Sequence, residues 1–224
     1  MPKDLGHEIR MVDADISSLE TRRESGETER RAAGFGVVYN SEVEIFPGFK
    51  EKILAGAFSA HVKDAKEIKS YFNHDPAQVL STTKSNPPLV IEDRDDGLYY
   101  ESPIPPTSYG KDLEINLSRK NVRGSSIAFR VLPGGDKRSF DKDGVLHREI
   151  HKAMLFEIGP VTDPANVRAP ASLRDAKGAF DEISSEMNEE RRTTEAREVA
   201  EREKNANIIR LQKQREREHE INVL

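Results

Sequence analysis

The chain contains no cysteine. This absence excludes a disulfide framework, a thiolate metal site and a cysteine nucleophile, and it fits a reducing cytosol. Long apolar stretches are also missing, since no run of about 18 apolar residues occurs. The polar residues 1–10 lack the hydrophobic core of a signal peptide. We therefore expect a soluble protein that is not exported by a signal peptide.

Excess positive charge is absent as well. The formal net charge is -5 and the sequence pI is about 5.8, so we expect neither a nucleic-acid partner nor an anionic membrane partner. No glycine-rich phosphate loop of standard spacing occurs. His147 and His151 lack a set of carboxylates at ligand spacing, so we predict no metal and no cofactor.

Hydrophobic residues make up 35% of the chain and charged residues 33%, which indicates one packed region and one solvated region. We predict a mobile N-terminal segment over residues 1–31 with one short strand at 7–12. A folded domain is predicted over 32–174, and a charged tail that is helical or disordered over 175–224.

The tail has a distinct composition. Residues 180–224 contain no glycine or proline, and 21 of these 45 residues are charged. An apolar heptad seam that starts at Ile183 soon meets Glu190 and Arg197, which favours a solvated helix or a disordered tail over a strong coiled coil. A short apolar patch remains as a possible partner contact: Ile208, Ile209 and Leu211.

Alternating apolar residues and turn signals predict eight or nine short strands and two helices in the folded domain. The spacing is typical of a barrel or sandwich with helices outside, an α+β fold that is mainly β. Residues 42–52 are predicted to be irregular and 133–144 to be a hairpin loop. The predicted helices cover 57–67 and 109–119, and the main strands cover 32–40, 68–73, 78–83, 89–92, 98–102, 145–151 and 153–161.

Residues 121–132, N-V-R-G-S-S-I-A-F-R-V-L, lead from the second helix into a strand. A serine at the start of a strand is held rigidly at the rim of the sheet, which suits a nucleophile if a base lies nearby. Alternation places Ser126 on the face of Ala128, opposite Ile127. Without further evidence, a pair such as Ser125 and Ser126 more often marks the start of an ordinary strand than a nucleophile.

A serine nucleophile needs a neutral imidazole that is held by a third group. His74 is the best candidate base, because it follows a strand that Pro76 interrupts. Asp75 is not expected to orient it, since neighbouring strand residues point to opposite faces. Glu157, an acid inside an apolar strand, fits the third role, although it could instead lie on the wet face of an edge strand. His151 is the runner-up for that role.

Seven segments in order resemble the prohead (procapsid maturation) serine proteases of tailed phages, over about residues 33–166. They are a G-x-x-V-x-Y/F-N segment from Gly34 or Gly36 to Asn40, Gly56-Ala57-Phe58, Phe72-Asn73-His74-Asp75-Pro76, Gly97-Leu98-Tyr99-Tyr100-Glu101, Thr107-Ser108-Tyr109-Gly110-Lys111-Asp112-Leu113, Gly124-Ser125-Ser126-Ile127-Ala128-Phe129-Arg130-Val131, and Leu155-Phe156-Glu157-Ile158 ending in Thr162-Asp163-Pro164-Ala165.

The resemblance implies a fold like the herpesvirus assemblin, a closed β-barrel surrounded by helices. It also implies a catalytic triad of Ser126, His74 and Glu157, with Ser126 rather than Ser125 as the nucleophile. The herpesvirus relatives have a histidine in the third position, which keeps His151 as a remote option. The family usually has Phe-Gly after the serine, where this chain has Ile-Ala, and a glycine in place of Ser81. These differences affect the shape of the substrate cleft more than the catalytic groups.

On this resemblance the chain is a serine endopeptidase of capsid maturation. It would cleave the scaffold or delta-domain segment of the major capsid protein, and itself, inside the prohead in the host cytoplasm. Backbone N–H groups or Arg123 would meet the oxyanion. The expected partners are the capsid protein and scaffold, with possible self-association. Self-processing near 169–178, or a tail that is the start of a fused scaffold, is a further expectation.

A non-catalytic scaffolding or capsid-assembly factor on the same fold is the alternative. The joint presence of His74, Ser126 and Glu157 favours the enzyme, because a scaffold has no use for all three. A metal-dependent hydrolase is disfavoured by the lack of a ligand cluster.

Overall fold

Short strands dominate the described part of the chain, in agreement with the predicted mainly β, α+β fold. The computed structural model describes residues 7–13, 16–22, 26, 28–64, 67–162 and 170–222. Two compact units are present, Met1–Gly178 and Ala179–Leu224. The strands are β1 Glu8–Val12, β2 Ser17–Arg22, β3 Thr28–Val38, β4 Glu42–Phe46, β5 Phe49–Ile53, β6 Lys69–Tyr71, β7 Val79–Thr82, β8 Val90–Asp93, β9 Gly97–Pro103, β10 Gly124–Val131, β11 Asp136–Phe140, β12 Leu146–Ile150 and β13 Ala153–Val161. The helices are α1 Ser59–Lys63, α2 Ser108–Ser118 and α3 Pro170–Asn222.

The described strands form three open sheets, with the orders β1-β10-β13-β6-β7, β11-β12-β5-β4 and β2-β3-β9-β8. The prediction of one closed barrel is therefore wrong for this part of the chain. Register shifts interrupt the hydrogen-bond ladders between β10 and β13 and between β3 and β9. Such β-bulges bend the strand and locally disrupt its pairing. The sheets pack against one another through buried apolar side chains.

One apolar core joins the three sheets. It contains Val37 of β3, Ile53 of β5 and Ile127 of β10, together with the buried residues Leu98, Tyr100, Phe129, Ile150, Leu155 and Ile158. Burying a side chain of this size stabilises the fold by about 1.5–3 kcal/mol. The core therefore fixes β10 and β13, which stand next to each other in the first sheet.

Helix α2 delivers the chain to β10. Thr107 caps its N-terminus by accepting a hydrogen bond from the Gly110 N–H at 3.2 Å. Leu113 and Leu117, which recur on one face, are buried in a second apolar cluster. The Tyr109 hydroxyl donates to the Val79 carbonyl at 2.8 Å. These contacts hold the helix, so the strand that follows starts from a fixed point.

Three segments differ from their predictions. Residues 17–22, predicted to lie in a mobile loop, form β2, and residues 42–52, predicted to be irregular, form the hairpin β4–β5. Residues 136–140, predicted to lie in a hairpin loop, form β11. The strands β2 and β11 are polar and little buried, so they lack the apolar alternation that marks a strand in sequence. In β4 the alternation Glu42-Val43-Glu44-Ile45 is present but short. The first predicted helix is shorter than expected, only Ser59–Lys63.

The tail is helical. Helix α3 runs from Pro170 to Asn222, and exposed i,i+4 ion pairs lie along it, such as Arg191 with Glu195. Its exposed apolar side chains include the predicted patch: Val199, Ile208, Ile209 and Leu211. No helix in the described ranges is long and apolar enough to cross a membrane. Residues 163–169, where part of the predicted self-processing region falls, lie outside the described residues.

Candidate active site

Ser125 and Ser126 at the start of β10 face opposite sides of their sheet. The Ser125 Oγ lies 3.1 Å from the Tyr100 hydroxyl, inside the core that also holds Ile127. The Ser126 Oγ lies 2.6 Å from His74 Nε2. Strand alternation produces this separation. It places Ser126 rather than Ser125 beside the candidate base.

His74 sits in a strained turn after β6. Asn73 has φ 54° and His74 has φ 60°, a left-handed conformation that costs about 1–3 kcal/mol for residues other than glycine. The Asn73 N–H donates to the Pro160 carbonyl at 3.0 Å, and Asn73 Oδ1 accepts from the Thr162 N–H at 2.9 Å. These bonds tie the turn to the end of β13, which is why the strained backbone persists.

Asp75 closes the same turn and does not orient the imidazole. Its Oδ1 accepts from the Ala77 N–H at 2.9 Å, and its Oδ2 accepts from Gln78 Nε2 at 3.0 Å. Both oxygens are thus engaged within the turn. This agrees with the expectation that a sequence neighbour would point away from His74.

A bulge in β13 directs Glu157 toward His74. Ala128 pairs with Glu157, but the next residue of β10 pairs with Leu155, so Phe156 is the extra residue. Without this bulge Glu157 would share the core face of Leu155; with it, Glu157 shares the face of Ala128 and Ser126. Bulges commonly aim a side chain at an active site in this way.

Glu157 Oε1 lies 2.7 Å from His74 Nδ1, and the side chains are 13% and 19% exposed. The oxygen lies off the axis of the Nδ1–H, so the contact has the distance of a hydrogen bond but not its direction. Catalytic hydrogen bonds are often misaligned before substrate binds and tighten in the complex. The structure therefore brings together all three residues that the sequence singled out: Ser126, His74 and Glu157.

Two glycines allow the elements around the site to approach closely. Gly159 pairs with Ser126 across β10 and β13, and a Cβ at this position would collide with the Tyr71 carbonyl oxygen of β6. Gly36 lies at the register shift in β3, where a Cβ would collide with Ile158. A register shift and a close approach therefore coincide at Gly36.

Strand β1 lies beside Ser126 on the other edge of β10, a feature that the sequence did not indicate. The main-chain carbonyl oxygen of Arg10 lies 3.1 Å from Ser126 Oγ and is a second acceptor for its hydroxyl proton. Ser126 is fully buried. The Arg10 side chain enters a buried ion network whose other members are Glu8, Glu51, Asp136 and Arg148.

The other residues considered from sequence lie elsewhere. His151 and Arg123 are exposed, and none of the contacts described for Ser126 or His74 involves them. His147 binds Glu42 through Nδ1 at 3.0 Å and Asp141 through Nε2 at 3.2 Å. The hydrogen bond to Glu42 raises the pKa of His147 most, and the hydrogen bond to Asp141 raises it further.

No group of three His, Asp or Glu side chains within the described ranges is arranged to hold a metal ion. The predicted absence of a metal or cofactor stays a prediction.

Comparison with known proteins supports the resemblance noted from sequence. The solved structure of the bacteriophage T4 capsid assembly protease, gp21, is 14% identical, with 69% of this chain and 98% of that chain covered and a TM-score of 0.40. No significant match among curated proteins accompanies it. The family model described as caudovirus prohead serine protease matches residues 17–186, about three quarters of the chain. The chain therefore belongs to the caudovirus prohead serine protease family.

Proposed function

We propose that the chain is a serine endopeptidase in which Ser126 is the nucleophile, His74 the general base and Glu157 the group that orients the histidine. One observation carries the proposal: Ser126 Oγ lies 2.6 Å from Nε2 of His74, whose Nδ1 lies 2.7 Å from Glu157. This is the order of contacts that activates a serine.

The first half of the reaction would form an ester. His74 Nε2 takes the hydroxyl proton as Ser126 Oγ attacks the carbonyl carbon of the scissile peptide bond. The resulting imidazolium, stabilised by the Glu157 carboxylate, then gives that proton to the leaving nitrogen, and the C–N bond breaks. The amine product leaves, and the acyl group remains on Ser126.

The second half would restore the enzyme. A water molecule gives one proton to His74 Nε2 and attacks the ester carbonyl carbon. The proton then returns to Ser126 Oγ as the C–O bond to the serine breaks, which releases the carboxylic acid product. Backbone N–H groups, or Arg123 three residues before the nucleophile, would stabilise the oxyanion in both halves.

The proposed substrates are the scaffold or delta-domain segment of the major capsid protein, and the protease itself. Family membership supports this assignment. The reaction would take place inside the prohead in the host cell. The charged helix α3, with its exposed apolar side chains Ile208, Ile209 and Leu211, supports a role for the tail in docking to scaffold or shell protein.

Coexpression with the cognate capsid protein and scaffold tests the proposal. Wild type should generate cleaved capsid protein and shortened protease, both detected by intact-protein mass spectrometry, and Ser126→Ala should generate neither. Ser125→Ala, which removes the neighbouring hydroxyl on the core side, is the matched control and should still cleave. If Ser126→Ala cleaves like wild type, the chain is not a protease that uses this serine. A shell that assembles but is never cleaved by wild type supports the scaffolding alternative instead.

A further inference from the structure

The hydroxyl of Ser126 lies between two acceptors from different strands. His74 Nε2 lies at 2.6 Å, and the main-chain carbonyl oxygen of Arg10 lies at 3.1 Å. A serine has one proton and two lone pairs, so it donates to only one of these groups at a time. When His74 is neutral at Nε2, the proton is shared with the imidazole. When His74 is protonated there, the hydroxyl accepts from Nε2 and donates to Arg10. The Arg10 carbonyl is thus a second acceptor that competes with His74 for the one proton of Ser126.

The position of that carbonyl depends on how Arg10 is anchored. Its guanidinium is buried and forms two hydrogen bonds to Glu51, at 2.6 and 2.8 Å, and another to Glu8 at 2.8 Å. The guanidinium carbon also lies 5.6 Å from the centre of the Phe129 ring, on the nucleophile strand. A bidentate arginine–carboxylate pair of this kind fixes the orientation of the guanidinium as well as its distance from the carboxylate. Arg10 is therefore held by residues of β1, β5 and β10.

The anchor extends into a second sheet. Arg148 of β12 donates to Glu51 at 3.2 Å, to Glu8 at 2.7 Å and to Asp136 at 2.7 Å. Burial alone would raise the pKa of the Glu51 carboxyl, but the charges of Arg10 and Arg148 outweigh burial and lower it. Glu51 is therefore ionised at neutral pH. A buried ion pair is costly to break by removing one partner, so it holds its geometry firmly.

From these contacts we infer that Arg10 is a positioning residue: its buried ion pair with Glu51 holds the Arg10 carbonyl at 3.1 Å from Ser126 Oγ, so that the hydroxyl proton goes to the nearer His74 Nε2 at 2.6 Å. This inference rests on the proposed peptidase function. Arg10 lies before residues 17–186, which the family model matches. The link runs from the β11-β12-β5-β4 sheet through the Arg10 side chain to its backbone, and from there to the nucleophile.

Loss of the anchor should slow the chemical step more than it weakens substrate binding. A misplacement of about 1 Å at a reacting group lowers the rate about 10²-fold. We therefore expect Arg10→Met, which keeps an unbranched apolar side chain, to lower kcat by about ten- to a hundredfold with KM within about twofold of wild type. Arg10→Lys restores a single charge contact to Glu51 and should recover part of kcat.

The experiment measures kcat and KM of purified full-length protein on cognate scaffold, with cleavage followed by mass spectrometry. Arg31→Met is the matched control, because Arg31 forms a largely buried ion pair with Glu29 on β3 and no described ion pair joins either residue to Arg10. It should lower Tm like Arg10→Met and leave kcat near wild type. Glu51→Gln removes the charge on the other partner of the ion pair and should also lower kcat. It provides the test if Arg10→Met does not fold.

The inference would be overturned if folded Arg10→Met and Glu51→Gln had the kcat of wild type. Faster cleavage by Arg10→Met would also overturn it, because the β1 contact would then slow the reaction of Ser126. Failure of the proposed function looks different: wild type itself would not cleave, or Ser126→Ala would cleave equally well, and the inference would fall with it.

Discussion

Replacing Glu157 by glutamine removes the negative charge beside His74 and keeps the volume of the side chain. The carboxylate lies 2.7 Å from Nδ1, and both side chains are largely buried. On the proposed mechanism the imidazole is neutral before attack and positively charged in the transition state. The lost attraction therefore acts on the transition state, and the variant should lose kcat while its KM stays close to that of wild type.

The magnitude follows from that distance. Opposite unit charges 2.7 Å apart attract by about 6 kcal/mol at an effective dielectric constant of about 20, and by about 3 kcal/mol at about 40, which allows for the partial exposure of the pair. Since 1.36 kcal/mol corresponds to a factor of ten, we expect kcat to fall about 10²- to 10⁴-fold.

The assay is the initial rate of scaffold cleavage by purified wild type and Glu157→Gln at neutral pH. Glu149→Gln is the matched control, because Glu149 is a surface glutamate paired with Lys52 on another sheet, and its rate should equal that of wild type. A Glu157→Gln rate within about threefold of wild type, for a folded variant, would refute the role of this carboxylate.

Three further predictions concern stability. Gly159→Ala should lower the free energy of unfolding by about 1–3 kcal/mol in chemical denaturation, because the new Cβ meets the backbone of β6, whereas Gly178→Ala meets open space and should not destabilise. Tyr100→Phe leaves the buried Ser125 hydroxyl without its described partner; it should cost about 1–3 kcal/mol by the same measurement and leave Ser126-dependent cleavage intact. Folding lowers the pKa of the Glu51 carboxyl below its ordinary value of 4.5, so the ionised carboxylate stabilises the fold fully above pH 4.5. This stabilisation is lost as the pH falls through the lower pKa of the folded state. Tm measured against pH should therefore drop in that range, and Glu51→Gln should make the drop smaller.

Local patterns predicted the strands that carry the site. The apolar run at 153–161 matches β13, and the helix over 109–119 begins and ends within one residue of α2. Strand alternation alone predicted that Ser125 and Ser126 face opposite sides. These features depend on neighbours within a few residues, so they are present in the sequence itself.

The remaining features depend on distant partners. The bulge at Phe156 appears only when β13 pairs with β10, although it decides where Glu157 points. The bond between Arg148 and Glu8 joins residues 140 positions apart, and charged residues in polar strands read as exposed in sequence. Barrel closure is likewise a property of how strands pair at their edges, so the resemblance to assemblin implied a closure that the described strands do not show.

The central claim is that Ser126 is the nucleophile. The most direct measurement reacts a scaffold-cleaving preparation of the full chain with a fluorophosphonate and locates the modified residue by peptide mass spectrometry. The account predicts one stoichiometric adduct on Ser126, formed in step with the loss of cleavage and absent after His74→Ala. An adduct on Ser125 or on another serine that abolishes cleavage, or full inhibition with Ser126 unmodified, would contradict it.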